Sequence, residues 1–315
     1  MVQYAARRLP SALLVLVLAS VVIFGILRLT PGNPAVVLAG PDANPATITS
    51  IEHDLGLDQP LPVQYLRWVQ GLVTGNLGHS YVLGAPIATL IARGAGNTLE
   101  LTVGAMILAL LLGLALGILG ATTRNWLAQF LLMVVNTVTF AVPTFISGVV
   151  LVLVFAVTIH LLPPGGQLSL LKDPSLGIQF LILPALCLAL PVSAVVARFL
   201  QTSMRQVLQE DYIRAAVAKG LKRHLILLRH ALPNALPPVI TVLGIQVGQL
   251  LGGAVIVEAI FAWPGLGQLI LHAVLSRDYL LVQDLLMLGV LVFIVLRTAA
   301  EILQAGLDPR IRLMG

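Results

Sequence analysis

Few side chains in this sequence can do chemistry, and their spacing excludes most of what they could do. The six histidines are His53, His79, His160, His224, His230 and His272. None stands at ligand spacing from another His, Cys or carboxylate on a helical stretch, and the neighbours His53 and Asp54 make a poor shared metal site on a regular element. Cys187 is the single cysteine, so an intrachain disulfide and a cysteine-based metal cluster are both excluded. A phosphate loop needs Gly, four residues, then Gly-Lys-Ser/Thr, so that backbone N–H groups can cradle phosphates. Here the only approach to it, Lys219-Gly220, runs in the wrong order. No Ser/His/Asp or Cys/His arrangement is nominated either. The sequence therefore offers no catalytic, cofactor-binding or metal-binding residues, and the chain is read as a non-enzyme.

What remains are polar residues stranded in apolar surroundings and glycines at regular intervals. Asn136, Gln246, Gln249 and Glu258 sit inside long apolar stretches. Such groups are costly in lipid unless they face protein or water. Gln246 and Gln249 are three apart on one helical face, so both are candidates to line a path, with Asn136 a weaker third. Interhelical hydrogen bonding is the competing role. Gly244, Gly248 and Gly252, and likewise Gly113 and Gly117, lie four apart, forming smooth stripes that let another helix approach closely.

The elements that must position these residues follow from composition. Of 315 residues, 58% are hydrophobic and 10% charged, against about 25% charged in a typical soluble domain. Mean hydropathy is +0.99. A chain with so few charges cannot clothe a water-facing surface, and its long apolar runs are unlike the short alternating strands of a membrane barrel. The reading is an all-α polytopic membrane protein with six transmembrane helices. Span one occupies residues 9–29, too long and without the cleavage pattern of a removable signal peptide. A polar segment, 30–96, follows outside the membrane, with a short amphipathic helix over Val63 to Val73. The core, 97–315, holds spans at about 99–123, 127–160, 178–203, 235–258 and 283–304. The third is long for one crossing, and Pro143 is the natural place for a tilt or a break. Pro163, Pro164, Gly165 and Gly166 end it. In the sixth, Arg297 and Glu301 share a helix face and can partly neutralise each other.

Six spans put both termini on one side, and charge placement says which. With residues 1–8 in the cytoplasm, the inside holds Arg7, Arg8, Arg124, Arg198, Arg205, Arg214, Lys219, Lys222, Arg223, Arg229, Arg310 and Arg312, twelve of the 18 basic residues. The outside holds Arg28, Arg67, Arg93, Lys172 and Arg277. The net charge of +5 is thus a topology signal, N-in and C-in, and not a nucleic-acid surface. Seven of the twelve, from Arg198 to Arg229, lie in or beside the cytoplasmic loop 204–234. Within that loop, Glu210 to Leu221 reads as a short helix closed by a glycine. A second helix-prone run reaches His230, and Leu232, Pro233 and Asn234 turn the chain back to the membrane.

The spacing Ala215-Ala216, three residues, Gly220, then Leu232-Pro233 resembles the "EAA" loop of ABC importer permeases. That pattern has Glu where this chain has Arg214 and Ile where it has His230. Both departures fit the branch of dipeptide, oligopeptide and nickel importer permeases. In that branch the loop resembles Asp211–Arg214, Ala218–Leu221 and Arg229–Ala231. Other segments resemble the same branch: Pro31-Gly32-Asn33-Pro34, Leu55 to Trp68, Gly75-Asn76-Leu77-Gly78, Thr98-Leu99-Glu100-Leu101, Val142-Pro143-Thr144-Phe145, Glu258 to Gly267, Arg277-Asp278-Tyr279 and Leu307 to Arg312. The extended outer segment resembles the "B-type" member of a permease pair.

The resemblance implies the type I importer permease fold in the bacterial cytoplasmic membrane. It also implies a second, C-type permease, two cytoplasmic ATPases docked on the coupling loops, and an extracytoplasmic substrate-binding protein. ATP and Mg would reside in the ATPases, with no cofactor in this chain. The coupling residues carried over are Asp211, Tyr212, Arg214, Ala215, Ala216, Lys219, Gly220 and Leu221. Ala215, Ala216 and Ala218 are small enough for close approach to a partner. The cargo implied is a di- or oligopeptide, with a nickel chelate or a glutathione-like peptide as alternatives. A stand-alone channel or ion-coupled transporter is the reading from a different class. It would call for a midplane coupling carboxylate or an internal repeat. Glu258 and Asp284 fall near the outer ends of spans instead, and no repeat is evident.

Overall fold

The computed structural model describes residues 2–29, 34–39, 43–54, 56–170 and 172–307. The segments Pro31-Gly32-Asn33 and 308–312, singled out above, lie outside the described residues, as does the side chain of Glu301. In chain order the elements are α1 (Val2–Leu29), α2 (Pro34–Ala39), α3 (Pro45–Asp54), α4 (Leu61–Thr74), β1 (His79–Ser80), β2 (Ala85–Pro86), α5 (Ile87–Thr122), α6 (Trp126–Ala141) and α7 (Thr144–Leu151). A π-helical stretch, Val152–Thr158, continues α7. Then come α8 (Pro174–Val207), α9 (Asp211–Ala218), α10 (Arg223–Leu225) with a π-helical continuation Ile226–Ala231, α11 (Leu232–Ile260), α12 (Leu266–Leu275) and α13 (Tyr279–Leu307). Among the described residues five helices are long and apolar enough to cross a membrane, six if the bent pair α6 and α7 counts as one.

Local chemistry sets the helix ends. Asp173 caps α8, accepting from the N–H groups of Ser175 at 3.0 Å and Leu176 at 3.1 Å, with Pro174 in the first turn. Those bonds, together with one from the Ser175 hydroxyl, hold the Asp173 carboxyl below its usual range. Asn125 caps α6 through the Leu127 N–H at 2.9 Å. The bend at Val142–Pro143 turns α7 by 107° from α6, because proline removes a donor and its ring displaces the preceding turn.

The chain divides into two units. The first contains residues 1–97 and 264–298. In it Phe24 of α1 stacks on Trp68 of α4 and meets Tyr65 edge-on. The Trp68 indole donates to Asp284 Oδ1 of α13 at 2.8 Å. Ser80 donates to Asp278 Oδ2. Ile87, Ala273, Leu281 and Leu285 form a second core cluster.

The second unit contains residues 98–263 and 299–315. α8 is its centre, with Leu183, Cys187, Ala189, Val196 and Leu200 buried. α5 lies close against α8. A Cβ on Gly113 would stand 2.6 Å from Val196 Cγ1, and one on Gly117 2.9 Å from Leu200 Cβ.

Several boundaries differ from the sequence reading. α5 begins at Ile87, well inside the segment assigned to 30–96, because Ile87, Leu90 and Ile91 pack into the first unit's core. α12 was not foreseen. Leu232, Pro233 and Asn234 do not turn the chain, since helix runs unbroken from Arg223 to Ile260. The π-helical turn before Pro233 opens the spacing that its ring requires. The Asn234 side-chain amide also donates to the His230 carbonyl at 2.7 Å.

Candidate functional site

The loop 204–234 is built around α9. Glu210 is extended, and Asp211 in the first turn suits the positive end of the helix. Ile213 and Ala216, three apart, turn into the second unit's core and are 4% and 9% exposed. That anchoring leaves Asp211, Tyr212, Arg214, Ala215, Ala218 and Lys219 exposed on the other faces. Arg214 Nη1 reaches Asp211 Oδ1 at 3.3 Å, a solvated pair that adds little stability. Gly220 ends the helix at φ +77°, left-handed backbone that favours glycine, and nothing lies within 4 Å of where its Cβ would be. The Leu221 N–H returns to the Ala216 carbonyl at 3.2 Å. The product is a single short helix, fixed on its inner face and open on its outer one.

Not all the proposed loop residues share that open face. Ala216 is buried within this chain and Leu221 packs against the core, so neither presents itself to a partner as Ala215 does. The cause is the helical period, which turns positions 213 and 216 inward and leaves 212, 214, 215 and 217 exposed.

The pathway candidates also separate. Gln246 is 5% exposed and sits among Val239, Leu250 and Ala254 in the buried face of α11. Within this chain it does not share an exposed surface with Gln249. Gln249 is exposed, beside Ile245 and Gly248. Asn136 is half-buried, and its Oδ1 has no hydrogen-bond partner among the described residues. Glu258 is fully buried and accepts from the Thr98 hydroxyl at 2.6 Å.

The two glycine stripes differ as well. Gly113 and Gly117 are closed over by α8, whereas nothing lies within 4 Å of a Cβ built on Gly244, Gly248 or Gly252. Among the described residues no helix packs on the stripe formed by these three.

Among the described residues no three His, Cys, Asp or Glu side chains group as metal ligands. His53 pairs with Asp58 at 2.9 Å, and that contact holds the Asp58 carboxyl below the usual range. Sequence reasoning counted Arg205 and Arg223 only as charges. Both donate to the end of α5, contacts visible only in three dimensions.

An all-α chain with several apolar crossings and a short, anchored, outward-facing helix between two of them has the form of a transport permease. The structure of the MetNI methionine ABC transporter in inward-facing conformations matches 71% of this chain and 98% of its own, with a TM-score of 0.57 at 20% identity. An amino acid ABC transporter crystal structure matches 69% of this chain and 94% of its own, at a TM-score of 0.50 and 17% identity. These likenesses concern the fold. Residues 109–313 match the family described as binding-protein-dependent transport system inner membrane component, and residues 1–91 match the N-terminal family of the same systems.

Full-length relatives agree. The glutathione transport system permease protein GsiC of Escherichia coli is 39% identical over 312 residues, covering 99% of both chains. A "probable peptide ABC transporter permease protein" of Sinorhizobium fredii is 36% identical over 309 residues, covering 98% of this chain and 99% of its own. The chain belongs to the binding-protein-dependent inner membrane component family, as an ABC importer permease of the dipeptide and oligopeptide branch. It is the non-catalytic, multi-pass membrane subunit, and it works with other ABC transporter subunits.

Proposed function

We propose that this chain imports peptides across a bacterial cytoplasmic membrane, forming half of the translocation pathway. The other half is a second, C-type permease. Two cytoplasmic ATPases dock on the pair, one against α9 and its surroundings in loop 204–234, and hold all the ATP and Mg. A binding protein delivers cargo from the far side. ATP biases the path only if the ATPase contacts the two permease states differently. A helix anchored by Ile213 and Ala216 and exposing Asp211, Tyr212, Arg214 and Lys219 is suited to such a contact, and this is the observation that carries the reading.

The open stripe Gly244, Gly248 and Gly252 on α11 supports a second helical subunit, because small residues admit close helix approach. Peptide cargo follows the peptide and glutathione permeases that this chain resembles, glutathione being itself a tripeptide.

Purification tests the assembly. The chain, expressed with its own operon and extracted in mild detergent, carries ATPase subunits and a second permease with it. Replacement of Gly220 by Val strains the φ of +77° without a clash. It releases the ATPase while membrane insertion stays normal. A Gly220→Val chain that retains the ATPase contradicts the docking role of α9.

A further inference from the structure

The cytoplasmic-side end of α5 is held by side chains from three other elements. Gly120 O accepts from Gln201 Nε2 at 3.1 Å and from Arg205 Nη2 at 3.0 Å, both on α8. Thr122 O accepts from Arg223 Nη2 at 3.1 Å. Thr123 O accepts from Gln129 Nε2 of α6 at 2.7 Å. The last carbonyls of a helix have no partner within it and carry the negative end of its dipole. Two guanidinium groups at that end are therefore well matched to it, the Arg205 bond partly buried and the Arg223 bond open to solvent.

The two arginines differ in what they connect. Arg205 belongs to α8, which already packs along α5 at Gly113 and Gly117. Its bond shares an acceptor with Gln201, so it duplicates a contact the helices make anyway. Arg223 belongs to the coupling segment, three residues beyond Gly220, where the chain leaves α9 and enters the helix leading to α11. No other described side chain of residues 208–225 is recorded in a hydrogen bond to α5.

We propose that Arg223 is a positioning residue that ties the coupling segment to the end of α5, so that displacement of α9 by the ATPase moves α5 as well as α11. This rests on the reading of loop 204–234 as the ATPase-docking segment. A rigid α9 alone would pull on α8 and α11, the helices to which it is joined in sequence. The Arg223 bond adds a third helix that the chain reaches only through space. Displacement is then shared with α5, and α5 passes it to α8 along its close glycine-lined contact.

The test uses the whole complex of both permeases and the ATPases in lipid nanodiscs and proteoliposomes, with its binding protein. The probes are glutathione and trialanine. Four quantities are read: ATPase retained on purification, basal ATP hydrolysis, hydrolysis stimulated by loaded binding protein, and peptide moved per ATP. Arg223→Gln and Arg223→Ala leave assembly and basal hydrolysis near wild type. They lower peptide moved per ATP about fivefold or more, within the usual span of coupling between sites. Arg223→Lys, which keeps a charged donor, restores most of it. Arg205→Gln, which touches the same helix end from α8, leaves the ratio within about twofold of wild type.

An unchanged ratio in Arg223→Gln and Arg223→Ala overturns the proposal. So does an equal loss in Arg205→Gln, which would mean that any weakening of the α5 end suffices. If the wild-type complex carries no ATPase at all, the docking reading fails first, and that outcome is distinct from both.

Discussion

The contrast between the two glycine stripes can be tested by one substitution in each. At Gly113 an added Cβ meets Val196 Cγ1 at 2.6 Å, Val196 Cβ at 2.7 Å and the backbone oxygen of Ser193 at 3.0 Å. Val196 is β-branched and fixed on α8, and a helix backbone oxygen cannot rotate aside. Overpacking of this kind costs about 1–3 kcal/mol. Alanine's better helix propensity returns about 1 kcal/mol. With both a side chain and the backbone in the way, Gly113→Ala should lose about 1–2 kcal/mol net. At Gly248 nothing lies within 4 Å, so Gly248→Ala keeps only the propensity gain of up to about 1 kcal/mol.

The variants should therefore separate by about 2–3 kcal/mol. For a chain of this size that is roughly 3–5 °C in apparent melting temperature. The assay is thermal unfolding of the isolated chain in detergent, followed by intrinsic fluorescence at a fixed scan rate. Equal melting temperatures for the two variants would refute the assignment of Gly113 to a closed helix contact and Gly248 to an open one.

Further outcomes follow from other contacts. Gly248→Leu should leave the isolated chain intact but reduce recovery of the second permease on co-purification, since the open stripe would then carry a bulky side chain. Trp68→Phe removes the donor to Asp284 Oδ1, while Oδ2 already lacks a partner among the described residues. It should cost about 1–3 kcal/mol and speed proteolysis of the segment around α4. Thr98→Val takes the hydroxyl from the fully buried Glu258 and should lower the melting temperature by several degrees, with Thr98→Ser close to wild type. Asp173 has a depressed carboxyl pKa, so its cap on α8 is present above the unfolded value of about 4 and is lost as pH falls through the folded one. Asp173→Asn should accordingly flatten the acid limb of stability below about pH 4, measured as melting temperature against pH.

Much of the fold was legible because lipid imposes long apolar runs. The spans near Pro143, Pro184 and Gly252 were all visible as such, and the break at Val142–Pro143 falls where the sequence marks it. Boundaries were less legible where a helix leaves lipid for protein. Ile87, Leu90 and Ile91 continue α5 beyond its apolar run because they meet Leu266 and Leu281, residues nearly two hundred positions away. Leu232-Pro233-Asn234 reads locally as a turn, and only the π-helical stretch before it reveals a continuous helix.

At the site, the helical period placed α9, but not which of its faces would be inward. Ala215 and Ala216 are alike in sequence and opposite in exposure. The same holds for Gln246 and Gln249, three apart yet divided by the packing of α11 on α8. The roles of Arg205 and Arg223 were hidden entirely, because their acceptors are backbone carbonyls, which leave no mark on the sequence.

The central claim is that transport by this chain is driven by ATPases acting through loop 204–234. Deleting the ATPase genes while keeping both permeases and the binding protein, and then measuring uptake of labelled glutathione and trialanine into cells, tests it most directly. Uptake should fall to the level of a strain lacking this chain, and the wild-type ATPases should restore it, but not in a strain whose permease carries Gly220→Val. Undiminished uptake without the ATPases would instead describe a channel or an ion-coupled transporter.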